Sequence, residues 1–262
     1  MTHPLYGELR PAHPLASVLL QDNPGPMTLD GTNTWVLAAP GAADVVVVDP
    51  GEDDGTHLET LAGGRTVAAV VLTHRHHDHA GGIDRFTELT GAPVYAADPD
   101  LVCGTAPLTD GETICAAGVE LTVLATPGHT SDSVSLLVTA PGVDGAALLA
   151  GDTILGRGTT VIAHPDGALG PYLTSLRRIA ELPAGTPVLP GHGPELPDAA
   201  AVATRYLTHR EQRLDQVRAA LEQLGPDATA RRVVEVVYAD VDESLWDAAE
   251  LSVRAQLDHL RG

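Results

Sequence analysis

Five of the six residues in His74-Arg75-His76-His77-Asp78-His79 are histidine or aspartate, and the segment follows the apolar run Val67–Thr73 directly. No other stretch constrains the chain so strongly. A short, β-branched run apolar throughout reads as a strand covered on both faces, so the polar cluster falls where that strand stops. Strand ends are rigid supports for loops, and four places along the chain repeat the plan. Leu121–Ala125 runs into Thr126-Pro127-Gly128-His129, Ala146–Ala150 into Gly151-Asp152, and Pro187–Leu189 into Pro190-Gly191-His192. Val45–Val48 likewise ends in Asp49-Pro50-Gly51, and Ser133–Thr139 is a further strand candidate. Polar residues mark many strand ends, but chance poorly explains His74, His129, Asp152 and His192 all being metal-competent.

The donor types define the chemistry. His74 and His76 can serve one ion, with His129 completing an imidazole set, while Asp78, His79 and His192 serve a second. Asp152 has two carboxylate oxygens and can bridge both. Two zinc ions suit this mixture of imidazole and carboxylate, with Mn²⁺ or Fe²⁺ as alternatives. Such a pair lowers the pKa of a shared solvent molecule and stabilises developing negative charge, so the expected outcome is hydrolysis. Asp78 and Asp152 are the candidate catalytic residues. His77 reads as a surface or supporting residue, and Asp49 as either support for a ligand or part of a turn.

Composition sets the surroundings. Gly (27) and Pro (20) are abundant among 262 residues, which suits a loop-rich α/β protein with helical candidates near 55–63, 80–89 and 170–181. Beyond residue 198 the strand runs give way to Ala, Leu, Arg and Glu: an amphipathic helix over Ala199–Leu224 stopped by Gly225-Pro226, then helical pieces near 227–238 and 243–259. Two segments are therefore expected, 1–198 and 199–262. The first holds seven basic and 24 acidic residues, and the second eight arginines against eleven acids. With no lysine and a net charge of −20, the chain repels nucleic acid at long range, and double-stranded DNA is not an expected partner. Cys103 and Cys115 form no CxxC pair and are expected as small core residues. The N-terminal stretch lacks the apolar segment of a secretion signal and no run is long enough to span a bilayer, so the expected setting is cytoplasmic, away from membranes.

Taken together, Thr73-His74-x-His76-x-Asp78-His79, Thr126-Pro127-Gly128-His129-Thr130, Gly151-Asp152 and Gly191-His192-Gly193 resemble the metallo-β-lactamase superfamily. The resemblance implies an αβ/βα sandwich with two zinc ions at its open edge, held as grouped above. Asn23-Pro24-Gly25-Pro26, Gly31-Thr32-Asn33-Thr34, Gly151–Thr160, Tyr172-x-x-Ser175-Leu176 and His209-Arg210 are similar to the β-lactamase-like protein 2 group. That resemblance implies a small C-terminal winged-helix-like helical domain, and a single-stranded RNA endonuclease as the first expected activity. The alternative is a thioesterase or ester hydrolase acting on acyl-carrier, CoA or glutathione thioesters, small electrophiles that need no long-range attraction to a −20 protein. His164-Pro165-Asp166-Gly167 departs from the group in a loop before the 170–181 helix. Arg75 and His77 beside the ligands, and Asn33, Thr159 and His209 within the shared motifs, are candidate substrate contacts. Arg205, Arg210, Arg213 and Arg218 are either a solvated helix face or a phosphate track.

Overall fold

The computed structural model describes residues 5–261; residues 1–4 and 262, the outer ends of the two segments read from composition, lie outside it. Chain order begins β1 (Arg10–His13), β2 (Ala16–Leu20), β3 (Asn33–Leu37), β4 (Asp44–Val48), α1 (Gly55–Ala62), β5 (Thr66–Val71), α2 (His77–Ala80), α3 (Ile83–Thr90) and β6 (Val94–Tyr95). It continues with β7 (Thr113–Ala116), β8 (Val119–Ala125), β9 (Val134–Thr139), β10 (Ala147–Gly151), α4 (Leu169–Ala180) and β11 (Val188–Pro190). Three helices close it: α5 (Ala199–Leu224), α6 (Ala230–Val237) and α7 (Trp246–Arg261). The expected helices and strands all form, most of them within three residues of their expected bounds.

Two sheets result, ordered β1-β2-β3-β4-β5-β6 and β11-β10-β9-β8-β7. Neighbours are antiparallel except β4–β5, β5–β6 and β10–β11, and each parallel pair is joined through helices, as a crossover requires. Alternation along the strands decides the layering, because successive side chains point to opposite faces. Val46, Val48, Ala69 and Val71 face Leu121, Val123, Leu136 and Leu149 across the gap between the sheets. Val47, Val70 and Leu72 point the other way, onto Leu58 and Leu61 of α1 and Ile83 and Phe86 of α3. Behind the second sheet, Leu148, Ala150 and Val188 pack on Tyr172, Leu176 and Ile179 of α4 and on Val202 and Tyr206 of α5. The layers therefore run helix, sheet, sheet, helix. A separate cluster centred on Val217, Val233, Val234 and Val253 ties α5, α6 and α7 together.

The expected core placement of the cysteines does not hold, since Cys103 and Cys115 are both exposed. On the edge strand β7, Ile114 takes the inward position and Cys115 alternates outward. Cys103 lies in a loop whose backbone bonds Val94 at the opposite edge. Among the described residues, no helix is long and apolar enough to cross a membrane, and the chain after residue 190 forms helices but no strand.

Candidate metal centre

Every expected ligand lies at one edge of the sandwich, where main-chain bonds pull the sheets together. Val134 N–H donates to Thr73 C=O (2.8 Å), and Asn33 N–H to Gly191 C=O (2.8 Å). His74 and His76 follow β5, Asp78 and His79 lie in the single turn of α2, and His129, Asp152 and His192 follow β8, β10 and β11. Two glycines permit this convergence. A Cβ on Gly191 would lie 2.5 Å from Asp152 Oδ1 and 2.7 Å from the His79 ring. Gly128 has φ +144°, and a Cβ there would lie 2.3 Å from Cα of Tyr172.

Within the cluster, His76 Nδ1 lies 3.1 Å from His74 Nε2 and 3.0 Å from His129 Nε2. In a second group, His192 Nε2 lies 3.2 Å from His79 Nε2 and 3.1 Å from Asp78 Oδ2. Asp152 stands between the two, with Oδ2 3.6 Å from His129 Nε2 and 3.4 Å from His192 Nε2, and Oδ1 3.5 Å from His79 Nε2. Ligands about 2.0–2.1 Å from a tetrahedral zinc ion are about 3.3 Å apart, so these separations fit shared ions. Asp152 Oδ1 is also buried with no hydrogen-bond partner among the described residues, the condition an ion would relieve. The residues fit, and the site can hold one or two metal ions.

A second layer aims the rings. His79 Nδ1–H donates to Asp49 Oδ2 (2.8 Å), His129 Nδ1–H to Val161 C=O (2.6 Å) and His192 Nδ1–H to Gly31 C=O (3.1 Å). Each bond holds the Nδ1 proton on the outer side of the ring and turns Nε2 towards the cluster. Asp49 also accepts from Thr73 N–H (2.8 Å) and Thr73 Oγ1–H (2.7 Å), and Thr73 Oγ1 faces His74 Nδ1 at 3.1 Å. One buried carboxylate thus braces a histidine in each group, so of the two roles expected for Asp49 it fills the supporting one. It also turns the chain, with φ +53°. Thr34 Oγ1 bonds the Asp49 carbonyl (2.7 Å) and accepts from His57 Nε2 (2.9 Å).

Electrostatics divides the histidines. Burial, then the neighbouring His79, hold His74 well below its ordinary pKa, and burial with His129 lowers His76. Burial also opposes charge on His79 and His192, but carboxylates outweigh it. Asp49 and Asp152 hold His79 well above its usual value, while Asp152 and Asp78 push His192 up to about 9. Burial would raise Asp78, yet the His192 hydrogen bond and His79 bring it down to about 2. Burial opposes charge on Asp152 as well, but His192 and His79 hold it well below the usual carboxylate range, so Asp78 and Asp152 are ionised acceptors.

The other candidates separate clearly. Thr159 and His209 line a cavity of about 340 Å³ that starts at His129 and Asp152 and runs to α5 and α7. Asn33 lines no part of it; its amide donates to Pro190 C=O (3.0 Å) and Gly193 C=O (2.8 Å), holding the turn that carries His192. Arg75 points away to Asp98, Asp132 and Asp166, and His77 is exposed with its ring against Gly81. The His164–Gly167 loop is tied down at both ends, His164 to Asp258 of α7 (2.8 Å) and Asp166 to Ser131. Arg205, Arg210, Arg213 and Arg218 do not share a face: at about 100° per residue they spread over more than half the helix circumference. Arg218 pairs with Asp215, Arg205 is exposed, and Arg210 and Arg213 line the cavity. Sequence reasoning missed the cavity wall from α7 and the turn before it, where Leu245, Ala248 and Ser252 carry no chemical signature.

Residues 27–192 match the family described as the metallo-beta-lactamase superfamily, and residues 229–261 match the beta-lactamase associated winged helix domain. The chain belongs to the metallo-β-lactamase superfamily and is a hydrolase of that class. It is 35% identical over 257 residues to a beta-lactamase-like protein 2 homolog of Caenorhabditis elegans, covering 92% of this chain and 82% of that one. It is 31% identical to an atrochrysone carboxyl ACP thioesterase of Aspergillus fumigatus, covering 87% and 75%. The solved beta-lactamase domain protein from Burkholderia ambifaria shares its fold at a TM-score of 0.81 and 24% identity, over 99% of this chain and 90% of that one.

Proposed function

We propose that this protein is a thioester hydrolase with a dinuclear zinc centre, acting on a small acyl group. The observation that carries this reading is the cavity of about 340 Å³ leading from Asp152 and His129 into a largely apolar wall of Met27, Leu155, Val161 and Leu245. That volume is at the small end for ligand sites and suits an acyl chain. The thioesterase relative from Aspergillus fumigatus supports the same chemistry. A single-stranded RNA would need a basic or aromatic track, and the divergent arginines of α5 do not supply one.

His74, His76 and His129 would hold one ion, Asp78, His79 and His192 the other, and Asp152 would bridge. Bound there, the ions would supply Lewis acidity that polarises the carbonyl and lowers the pKa of water. Asp78, half-buried and ionised, accepts a hydrogen bond from the attacking water and orients it. Attack forms a C–O bond and breaks the C–S bond, giving a carboxylic acid and a thiol. The departing thiolate is a weak base that needs little acid assistance.

The test is turnover of acyl N-acetylcysteamine thioesters by zinc-loaded protein, with labelled single-stranded RNA assayed in parallel and Asp152→Ala as the contamination control. Thioester hydrolysis by the wild type alone is expected, with metal content near two equivalents falling in the variant. RNA cleavage without thioester turnover would replace the reading by the ribonuclease one. Full activity and normal metal content in Asp152→Ala would remove the bridged two-ion assignment.

A further inference from the structure

The cavity reverses the sign of the molecule that surrounds it. In a chain of net charge −20, three arginines line it, Arg157, Arg210 and Arg213, against one carboxylate, Asp152, which belongs to the metal cluster. Arg157 is neutralised by Asp30. Arg210 and Arg213 are in no ion pair among the described residues. Arg210 is only 3% exposed. Its Nη2 donates to Thr160 C=O, its guanidinium lies 5.2 Å from the Tyr172 ring, and its Nε is buried without a partner. One helical turn on, Arg213 stacks 4.4 Å from the Tyr238 ring and donates to Gln216 and to Val237 C=O. Beside them on α5, His209 keeps its Nδ1 buried and unpartnered.

A buried guanidinium without a counter-ion is costly, and the cost disappears when an anion arrives. The exposed Asp240 lines an adjoining recess with His209 and Arg213 but forms no ion pair with Arg213, so the two guanidiniums leave room for a charge the protein does not supply. We propose that Arg210, Arg213 and His209 receive an oxyanion of the substrate, carboxylate or phosphate, while its scissile carbonyl lies at Asp152 and His129. The proposal rests on the thioester-hydrolase reading and narrows it to anionic thioesters.

Glutaryl and pentanoyl N-acetylcysteamine thioesters have the same chain length and differ by a terminal carboxylate. If the anion is on the acyl side, kcat/KM favours glutaryl by roughly tenfold or more, carried mainly in KM. If it is on the thiol side, pentanoyl-CoA is favoured over pentanoyl N-acetylcysteamine to a similar degree. In either case the preference ratio collapses in Arg213→Gln, which leaves the Thr160 contact of Arg210 in place. Arg210→Gln provides the second variant. Turnover of all three compounds with no anionic preference would overturn the proposal while sparing the thioesterase reading. If no thioester is hydrolysed, that reading falls and binding decides: calorimetry of metal-free protein with glutarate and with inorganic phosphate should then show binding lost in Arg213→Gln. No binding of either anion to the wild type would overturn the site itself.

Discussion

Asp49 shows how much one buried carboxylate can organise. It accepts from Thr73 and from His79, and through Thr73 it reaches His74, so it orients a ring in each half of the metal cluster. Asp49→Asn keeps the size but loses the charge, and second-layer changes of this kind cost roughly 10–100-fold in metal affinity or activity. Competition with a chromophoric chelator should show weaker binding, and wild-type affinity would mean that Asp49 does no more than turn the chain. His57, two bonds further out, is held neutral: burial lowers its pKa to about 4. An unfolded histidine titrates near 6.5, so between pH 6.5 and 4 the unfolded chain binds the extra proton and folding stability falls as pH drops. The loss amounts to about 3 kcal/mol, complete near pH 4. Urea midpoints followed from pH 7 to pH 4.5 should fall less steeply in His57→Gln than in the wild type. Equal slopes would assign the acid sensitivity elsewhere.

Among the elements, α4 packs closely on the turn that follows β8. Alanine at Gly128 would drive a Cβ into the Tyr172 backbone from a φ that side chains rarely adopt. The expected loss is about 3 kcal/mol, seen as a lower urea midpoint, with weaker metal binding because His129 is the next residue. Elements of this kind were legible in the sequence where one constraint dominated. Apolar runs ending in His129, Asp152 and His192 announced both strands and ligands, because metal ligation tolerates few residue types. β1, β2, β3, β6 and β7 were not announced: β1, β6 and β7 are short edge strands that depend on a neighbour for pairing, and the interior strands β2 and β3 interrupt their apolar residues with Ser17, Asn33 and Thr34. The arginines of α5 were visible, but their directions were not. Burial of Arg210 depends on the docking of a helix against Thr160 and Tyr172, a tertiary fact with no local pattern.

For the molecule as a whole, the composition change at residue 198 does not coincide with a gap in the packing. Val202 and Tyr206 of α5 share a cluster with Leu148, Ala150 and Val188 of the second sheet. A fragment ending at residue 198 would expose that face and is expected to aggregate. The two tryptophans give a gentler test, since Trp35 lies in the first sheet and Trp246 opens α7. In Trp246→Phe, Trp35 fluorescence and far-UV circular dichroism should report one shared urea midpoint. Separate midpoints would mark two independently folding units.

The loop between Asp152 and Val161 is held from outside the sandwich. Tyr206 of α5 bonds Leu155 and Gly158, Arg210 bonds Thr160, and the neighbouring Val161 carbonyl braces His129. Control of the metal centre is thus lodged in a helix that contributes no ligand to it. A compound wedged between α5 and this loop would silence the enzyme with its full complement of metal in place, and would be recognised by lost turnover at unchanged metal content. Such inhibition would differ in kind from that of a chelator, which acts by removing the ions.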